Sequence, residues 1–352
     1  MAIVETGWTR IQRDIDSWNT RLLGTNGHLY QYPYWNEPLR QIHLSPDYVV
    51  YGTEAEPQAF ACILRIGVPG FKIGIVRGGP VGLNGPLPEA AIDGLVKWSR
   101  SAGYSFIRFS HEDAGLLQHI SEHGSTDRED ALPFYPPLEH ELIVEQLADD
   151  DETAGRFQSV ARRNIRDARK ANYQIERSET IEALERAMPV FAALSKRKGQ
   201  VYSRPMSSYV DLLRLAIPHR GARVYTALVD GKAVQVLLIV RDRDTAHYVI
   251  GALDSDALGD HASPGCLLHW QAMRDFYSEG ARFYNLGLWG SDGLHVFKSK
   301  FRPVEKKYPR PLTLILRPML YRLWTRTLPI LKNSRPRIEQ LMTALRELRA
   351  QS

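Results

Sequence analysis

The residues most pointedly suited to chemistry lie in Gly293-Leu294-His295-Val296-Phe297-Lys298-Ser299-Lys300-Phe301. Helical spacing puts Leu294, Phe297 and Phe301 on one face, with Lys298 a turn after Leu294 and so at the border of that face. An ammonium drawn toward an apolar face needs an anion. A donor phosphate, or the developing oxyanion of a tetrahedral intermediate, would supply one. The plainer alternative is a lysine whose stem lies along the surface with its head in water. Lys300 and Arg302 extend the cationic cluster. A second basic feature is a helix expected over 153–171, carrying Arg156, Arg162, Arg163, Arg166, Arg169 and Lys170 against Asp167. It reads either as a phosphate-binding track or as a solvated face countering the acidic run 149–152.

None of His247, His261 and His295 pairs visibly with a carboxylate, so no general base is named; an amine attacking an activated ester can pass its proton to substrate or water. Other signatures are missing. No G-x-G-x-x-G precedes a helix, and there is no G-x-x-x-x-G-K-[ST], no G-x-S-x-G and no His pair with convincing ligand spacing. Cys62 and Cys266 are too few for a structural zinc site and read as buried reduced thiols. No metal and no permanently bound cofactor is expected.

The elements that must position these groups appear twice. Strands are expected over 48–51, 59–64 and 71–76, a helix over 91–102 ending at Gly103, and a strand over 104–109. The same order returns at 224–229, 234–240, 246–250, a helix at 264–278 ending near Gly280, and 283–286, displaced by about 176 residues throughout. Antiparallel strands followed by a helix and one more strand imply a mixed α/β (α+β) fold, and a pair of such units leaves a cleft between them. Further expected elements are a strand at 139–145, helices at 179–198 and 206–217, a short helix at 291–301, an extended stretch at 306–316, and terminal helices at 318–332 and 336–350.

Composition is that of an ordinary globular chain: 352 residues, 43% hydrophobic, 24% charged, net charge +5. That length suits two domains. No apolar run reaches membrane-span length, and the first 18 residues lack the apolar stretch of a secretory signal, so a cytoplasmic protein is expected. The mild basicity favours an anionic partner, and no aromatic-interleaved basic stripe argues for DNA.

Several segments together resemble the Fem family of non-ribosomal peptidyltransferases and the tandem-GNAT acyltransferases around it. Gln31-Tyr32-Pro33-Tyr34-Trp35 is similar to the family's Gln-x-x-x-Trp segment, Arg77-Gly78-Gly79-Pro80 to its Arg-Gly-Pro turn, and Arg163 to Lys170 to its Arg-x-x-Ile-Arg-x-Ala-basic helix. Tyr284-Asn285-Leu286-Gly287, followed by 293–301, is similar to Tyr-Asp-x-Gly and then Gly-Leu-x-x-Phe-Lys-x-x-Phe-Gly. The sequence departs at Asn285 (for Asp), at Arg302 (for Gly) and at Arg108-Phe109-Ser110-His111, where wall-building members have Asp-Pro. The nearest basic residue after Trp35, Arg40, is out of register.

The resemblance implies two GNAT-like domains in tandem, each a mostly antiparallel sheet flanked by helices, with C-terminal helices added: 1–145 on the acceptor side, 146–316 on the donor side with the chemistry, and 317–352 as a helical extension. It implies acyl or aminoacyl transfer to an amine, with aminoacyl-tRNA or acyl-CoA as co-substrate. The acceptor would be a small-molecule or lipid-linked amine of the cell envelope or related metabolism. Lys298 and Tyr248 become the catalytic candidates. Trp35, Arg77, Arg163, Arg166, Arg204, His295, Lys300 and Arg302 become the substrate-binding ones. The terminal helices, with Leu320, Leu323 and Trp324 among basic residues, read either as a peripheral contact with the inner face of the membrane or as packing on the second domain or a partner helix. A catalytically silent binding module is the competing function.

Overall fold

The computed structural model describes residues 7–327, except 69–70, 129–131, 133–134, 172 and 200–201. The strands of the first half are β1 Trp8–Arg10, β2 Leu44–Gly52, β3 Pro57–Val68, β4 Phe71–Arg77, β5 Val81–Gly82, β6 Phe106–Ser110, β7 Ser125–Asp127 and β8 His140–Glu145. Those of the second are β9 Gln174–Ser178, β10 Ala222–Val229, β11 Lys232–Arg241, β12 Thr245–Leu253, β13 Phe283–Asn285, β14 Val304–Lys307 and β15 Leu312–Ile315.

They form two mixed, mostly antiparallel sheets in the orders β1-β2-β3-β4-β6-β15-β7, with β5 paired to β3 off this path, and β14-β8-β13-β12-β11-β10-β9. Read from opposite ends the orders match strand for strand. The duplicated pattern in the sequence is therefore a duplicated fold: β2-β3-β4, helix Glu89–Ser101 and β6 correspond to β10-β11-β12, helix Gly265–Ser278 and β13. The helices form where apolar residues fall on one face: Ala91, Ile92 and Leu95 are buried in the first, Leu268, Ala272 and Phe276 in the second.

The two halves exchange a strand. β8 lies between β13 and β14 of the second sheet, and β15 lies between β6 and β7 of the first. Divisions at 145/146 and 316/317 thus each fall just after a strand that belongs to the other sheet. The pattern of β8 marks a strand but not its partner, because pairing is decided by tertiary packing. One apolar core then runs between the halves, joining Leu29, Tyr32, Tyr34 and Phe60 to Phe191, Leu212, Leu213 and Val224.

Two helices expected as continuous are broken. The stretch 153–171 divides into Asp150–Gly155 and Ser159–Lys170, because Phe157 turns into the core and Gln158 takes an extended backbone. The stretch 179–198 divides into Ile181–Arg186 and Met188–Lys198, the second with Pro189 in its first turn. The acidic run 149–152 caps the first of these helices and pairs through Asp150 with Arg274, not with the arginines that follow it.

The helix at 318–327 packs on the first sheet: Trp324 and Tyr321 are buried, their rings against Phe106, with Trp324 also meeting Phe71. Trp324 is therefore committed to the protein interior, and to the first half, not the second. The expected helix at 336–350 lies outside the described residues.

Two of the segments behind the family resemblance interlock. The Gln31 side chain donates to the Arg77 carbonyl (2.7 Å) and accepts from the Cys62 N–H (2.8 Å), bridging β4 and β3. A Cβ at Gly79 would lie 2.3 Å from the Gln31 amide, so the turn after Arg77 must be glycine for the bridge to form. Gly79→Ala is expected to cost about 1–3 kcal/mol, as forced overpacking does, and to lower the denaturant midpoint without altering the slope.

Candidate functional site

In the second sheet β12 and β13 run parallel but pair only through Thr245–Phe283, Ala246–Tyr284 and His247–Asn285. Beyond these pairs β12 continues to Leu253 while the other strand ends, and the chain turns away at Gly287 with φ +75°. Val249 is an extra residue opposite β11, since Leu238 pairs with Ile250 and Ile239 with Tyr248. Such a bulge bends the strand. The result is an open wedge beside Tyr248. In the first sheet the corresponding strands pair along 73–77 and 106–110, so no equivalent wedge forms there.

Lys298 occupies the wedge. It is buried, at 6% exposure, near the end of helix Asp292–Ser299. Its Nζ donates to the Leu288 carbonyl and lies 6.0 Å from the centre of the Tyr248 ring. Among the described residues no carboxylate pairs with it, and burial pushes its pKa down to about 8. His269, its neighbour, is pushed down to about 3 by burial and then by the Lys298 charge, so it stays neutral; its Nδ1 lies 2.8 Å from the Tyr284 hydroxyl. The wedge thus holds an ammonium with no counter-ion. The expected apolar face is only partly right: Phe301 is buried and Phe297 half-buried, but Leu294 is exposed.

From Tyr248 a lining of rings and guanidinium groups leads into the first half. Tyr248 is half-buried, and burial followed by the nearby Tyr202 and Tyr209 raises its pKa. Arg204 lies over the rings of Tyr209 and Trp35, 4.6 Å from each. Trp35 meets Tyr30 at 5.4 Å, and Arg77 lies 3.7 Å over Tyr30. Three buried polar atoms along this lining have no partner among the described residues: Trp35 Nε1, Arg77 Nε and Arg204 Nη1. Leaving such groups unpaired costs about 1–3 kcal/mol each, so their presence here points to a ligand. The structure therefore joins Lys298, Tyr248, Arg204, Trp35 and Arg77, which lie far apart in the sequence.

The remaining sequence candidates are on the surface. Arg163 and Arg166 are exposed on helix Ser159–Lys170 and unpaired among the described residues; Ala161, Ile165 and Ala168 form that helix's buried side. Its first turn reaches the Lys298 helix, where Gln158 bonds the Ser299 and Lys300 carbonyls at 2.9 Å each. Lys300 is half-buried beside Phe297, and His295 is exposed with its ring 4.4 Å from Trp289. His261 rests near Tyr173. Arg302 is exposed and holds φ +49°, a backbone that glycine adopts freely and other residues adopt at a cost. Arg302→Gly is expected to raise stability by about 1 kcal/mol in chemical denaturation; a loss would show that the side chain is held by other groups.

Sequence reading missed one buried network. Glu141, from the exchanged strand β8, accepts from His28 (3.2 Å), Asn285 (2.6 Å) and Tyr308 (2.6 Å). His247, for which no carboxylate partner was visible, is 2.8 Å from Asp242, and Asp242 also accepts from the Leu29 N–H. The Asn285 Oδ1 accepts from the Gly287 N–H (2.7 Å), so its amide nitrogen faces both Glu141 and His247 Nδ1. Burial lowers the His247 pKa, but the charge and hydrogen bond of Asp242 outweigh it and raise the pKa above the ordinary histidine value. Burial would raise the Glu141 pKa, but the charge and hydrogen bond of His28 hold it well below the usual carboxylate range. Both nitrogens of His247 are engaged, so it is not a free base. Because residues 247 and 248 point to opposite faces of β12, this network lies behind the wedge. The Asn285 departure consequently bears on the joint between the halves. The network borders a cleft of about 1020 Å³ lined by His28, His111, Asp242, Lys306 and Tyr308, which Lys298 does not enter.

The fold and the wedge define a chain of two GNAT-like halves, one of them open for a ligand. Residues 155–299 match the family model described as acetyltransferase (GNAT) domain. The crystal structure of FemX is similar in fold, with a TM-score of 0.73 and 15% identity, covering 90% of this chain and 100% of that one. A conserved protein of unknown function from Bacteroides thetaiotaomicron is similar at TM-score 0.61 and 13% identity, over 88% of this chain and 99% of that one. The C-terminal domain (DUF2156) of a protein described as a lysylphosphatidylglycerol synthetase, from Agrobacterium fabrum, is similar at 0.56 and 15%, over 89% and 96%. A comparison with curated protein sequences gives no match. The chain is Fem-like and tandem-GNAT in fold. Among the described residues no helix is long and apolar enough to cross a membrane.

Proposed function

We propose that the protein transfers an acyl or aminoacyl group to an amine, forming an amide, with the donor carbonyl in the wedge beside Lys298. The observation that carries this reading is the buried ammonium with no carboxylate partner among the described residues. As the acceptor nitrogen attacks, the carbonyl π pair moves to oxygen, and Lys298 stabilises the oxyanion. When the intermediate collapses, the C–O bond of an aminoacyl ester or the C–S bond of a thioester breaks, and the proton from nitrogen leaves with the alcohol or thiol or passes to water. In this reading Tyr248, whose ring centre is 6.0 Å from Nζ, would donate a hydrogen bond to the same oxygen. The unpaired donors of Arg77, Arg204 and Trp35 would hold an acceptor that carries an anionic group, a carboxylate or phosphate, in addition to its amine.

The donor is an aminoacyl-tRNA or an acyl-CoA, each bringing phosphates toward the exposed Arg163, Arg166 and Arg302 and the half-buried Lys300. In this reading the second half handles the donor and the first half selects the acceptor, a small or lipid-linked amine, in the cytoplasm or at the inner face of the membrane. The test is incubation of the purified protein with charged tRNA or acyl-CoA pools and an extract of envelope precursors, reading base-stable amide product. Loss of product on ribonuclease treatment identifies tRNA as donor, and persistence identifies CoA. Absence of transfer and of donor binding in both arms would overturn the reading in favour of a silent binding module.

A further inference from the structure

We propose that Asp93, His119 and His123 form a binding site for a divalent transition-metal ion of the zinc type, on the first half and apart from the wedge. His119 lies in helix Ala114–Ser121, and His123 follows one turn later, where the Glu122 and His123 N–H groups still bond back to His119 and Ile120. A four-residue separation on a helical backbone puts both rings on one side. Asp93 comes from the adjacent helix Glu89–Ser101. Its Oδ1 is 2.8 Å from His119 Nε2 and 2.9 Å from His123 Nε2, and the two ring centres are 5.2 Å apart. Donor atoms from all three residues lie within 4.8 Å of one another.

Two imidazoles and a carboxylate aimed at one point are a donor set that suits zinc and its neighbours. A tetrahedral ion with bonds of about 2.0 Å keeps its ligand atoms about 3.3 Å apart. The present contacts need open by only about half an ångström to admit it. The side chains are free to do so, being 41% exposed at Asp93, 28% at His119 and 31% at His123. The surrounding field favours a cation, since the charged groups that act on His119 are Asp93, Glu122 and Glu89, all acidic. A carboxylate that merely bridges two imidazole N–H groups is the plain alternative. It would require both rings to carry hydrogen on Nε2, toward the same oxygen. Three protein ligands leave one tetrahedral position open, and His119 together with Glu89 and Leu116 lines the 1020 Å³ cleft. A bound ion would staple the two helices at the edge of that cleft and hold a position there for water or an anionic group.

The test uses the full chain without an affinity tag, stripped with chelator and titrated with Co²⁺, whose visible absorption reports ligand geometry. Expected is saturable uptake of one equivalent with a tetrahedral nitrogen–oxygen spectrum, displaced by Zn²⁺. Removing even outer-shell partners of metal ligands costs 10–100-fold in affinity, so His119→Gln and His123→Gln should each weaken binding by at least about tenfold. Zn²⁺ should raise the melting temperature of the parent protein and not of the variants, whose metal-free melts should match the parent's. No saturable uptake, or uptake unchanged in both variants, would overturn the site.

Discussion

Lys298→Met is expected to reduce transfer by on the order of 10²–10³-fold, the loss that follows removal of one oxyanion-stabilising donor, while making the protein more stable. The two effects have one cause. The Lys298 side chain is buried with no carboxylate partner among the described residues, and its pKa falls from 10.5 to about 8. A lowered lysine pKa means that the folded state disfavours the charged form. The penalty is complete below pH 8 and is relieved as pH rises from about 8 toward 10.5, because over that range the unfolded chain still holds a proton that the folded chain has lost. A difference of that size corresponds to roughly 3 kcal/mol. Methionine keeps the unbranched apolar stem and removes the charge. The stability gap between Lys298→Met and the parent should therefore be widest near pH 7 and close by about pH 10, as read by denaturant unfolding across that range. Parent activity should fall above about pH 8 as the ammonium deprotonates, a limb the variant lacks. Equal stability of the two proteins at pH 7 would show that Lys298 is not desolvated.

The largest stability loss is expected from Glu141→Ala, at about 3–5 kcal/mol, the range for breaking a buried charged pair. The change removes the acceptor shared by His28, Asn285 and Tyr308, and it does so on the strand exchanged between the halves. The folded-state pKa of Glu141 is depressed, so its contribution is fully present above the ordinary glutamate range and is lost as pH falls below it. Glu141→Gln keeps an acceptor oxygen and should lose less, while flattening this acid dependence. Denaturant unfolding at pH 7 and pH 4 reads both. A Glu141→Ala variant as stable as the parent would mean that the joint between the halves does not depend on this network.

Much of the fold was legible in the sequence because local pattern decides it. Apolar runs of strand length and the glycines at 103 and 280 marked the strands and helix ends of both copies. The exchange of β8 and β15 was not legible, since a strand's sequence specifies its buried face and not its neighbour. Lys298 was legible through its motif, although Leu294, used to place it, turned out exposed. Of the Arg77–Tyr30–Trp35–Arg204 lining, Arg77, Trp35 and Arg204 could be named one by one, but not Tyr30 and not the surface they share, because contacts between distant segments leave no local trace. The pairing of His247 with Asp242, five positions earlier across a hairpin turn, did leave one. So did His119-x-x-x-His123, a four-residue spacing that sequence reading did not take for a ligand pair and that Asp93 joins from another helix.

Single-turnover transfer, comparing the parent protein with Lys298→Met on the same charged-tRNA and acyl-CoA pools, tests the role of the wedge most directly. Expected is base-stable amide product from the parent and a rate at least about 100-fold lower from the variant, with donor binding retained. Equal rates would contradict the placement of the chemistry at Lys298.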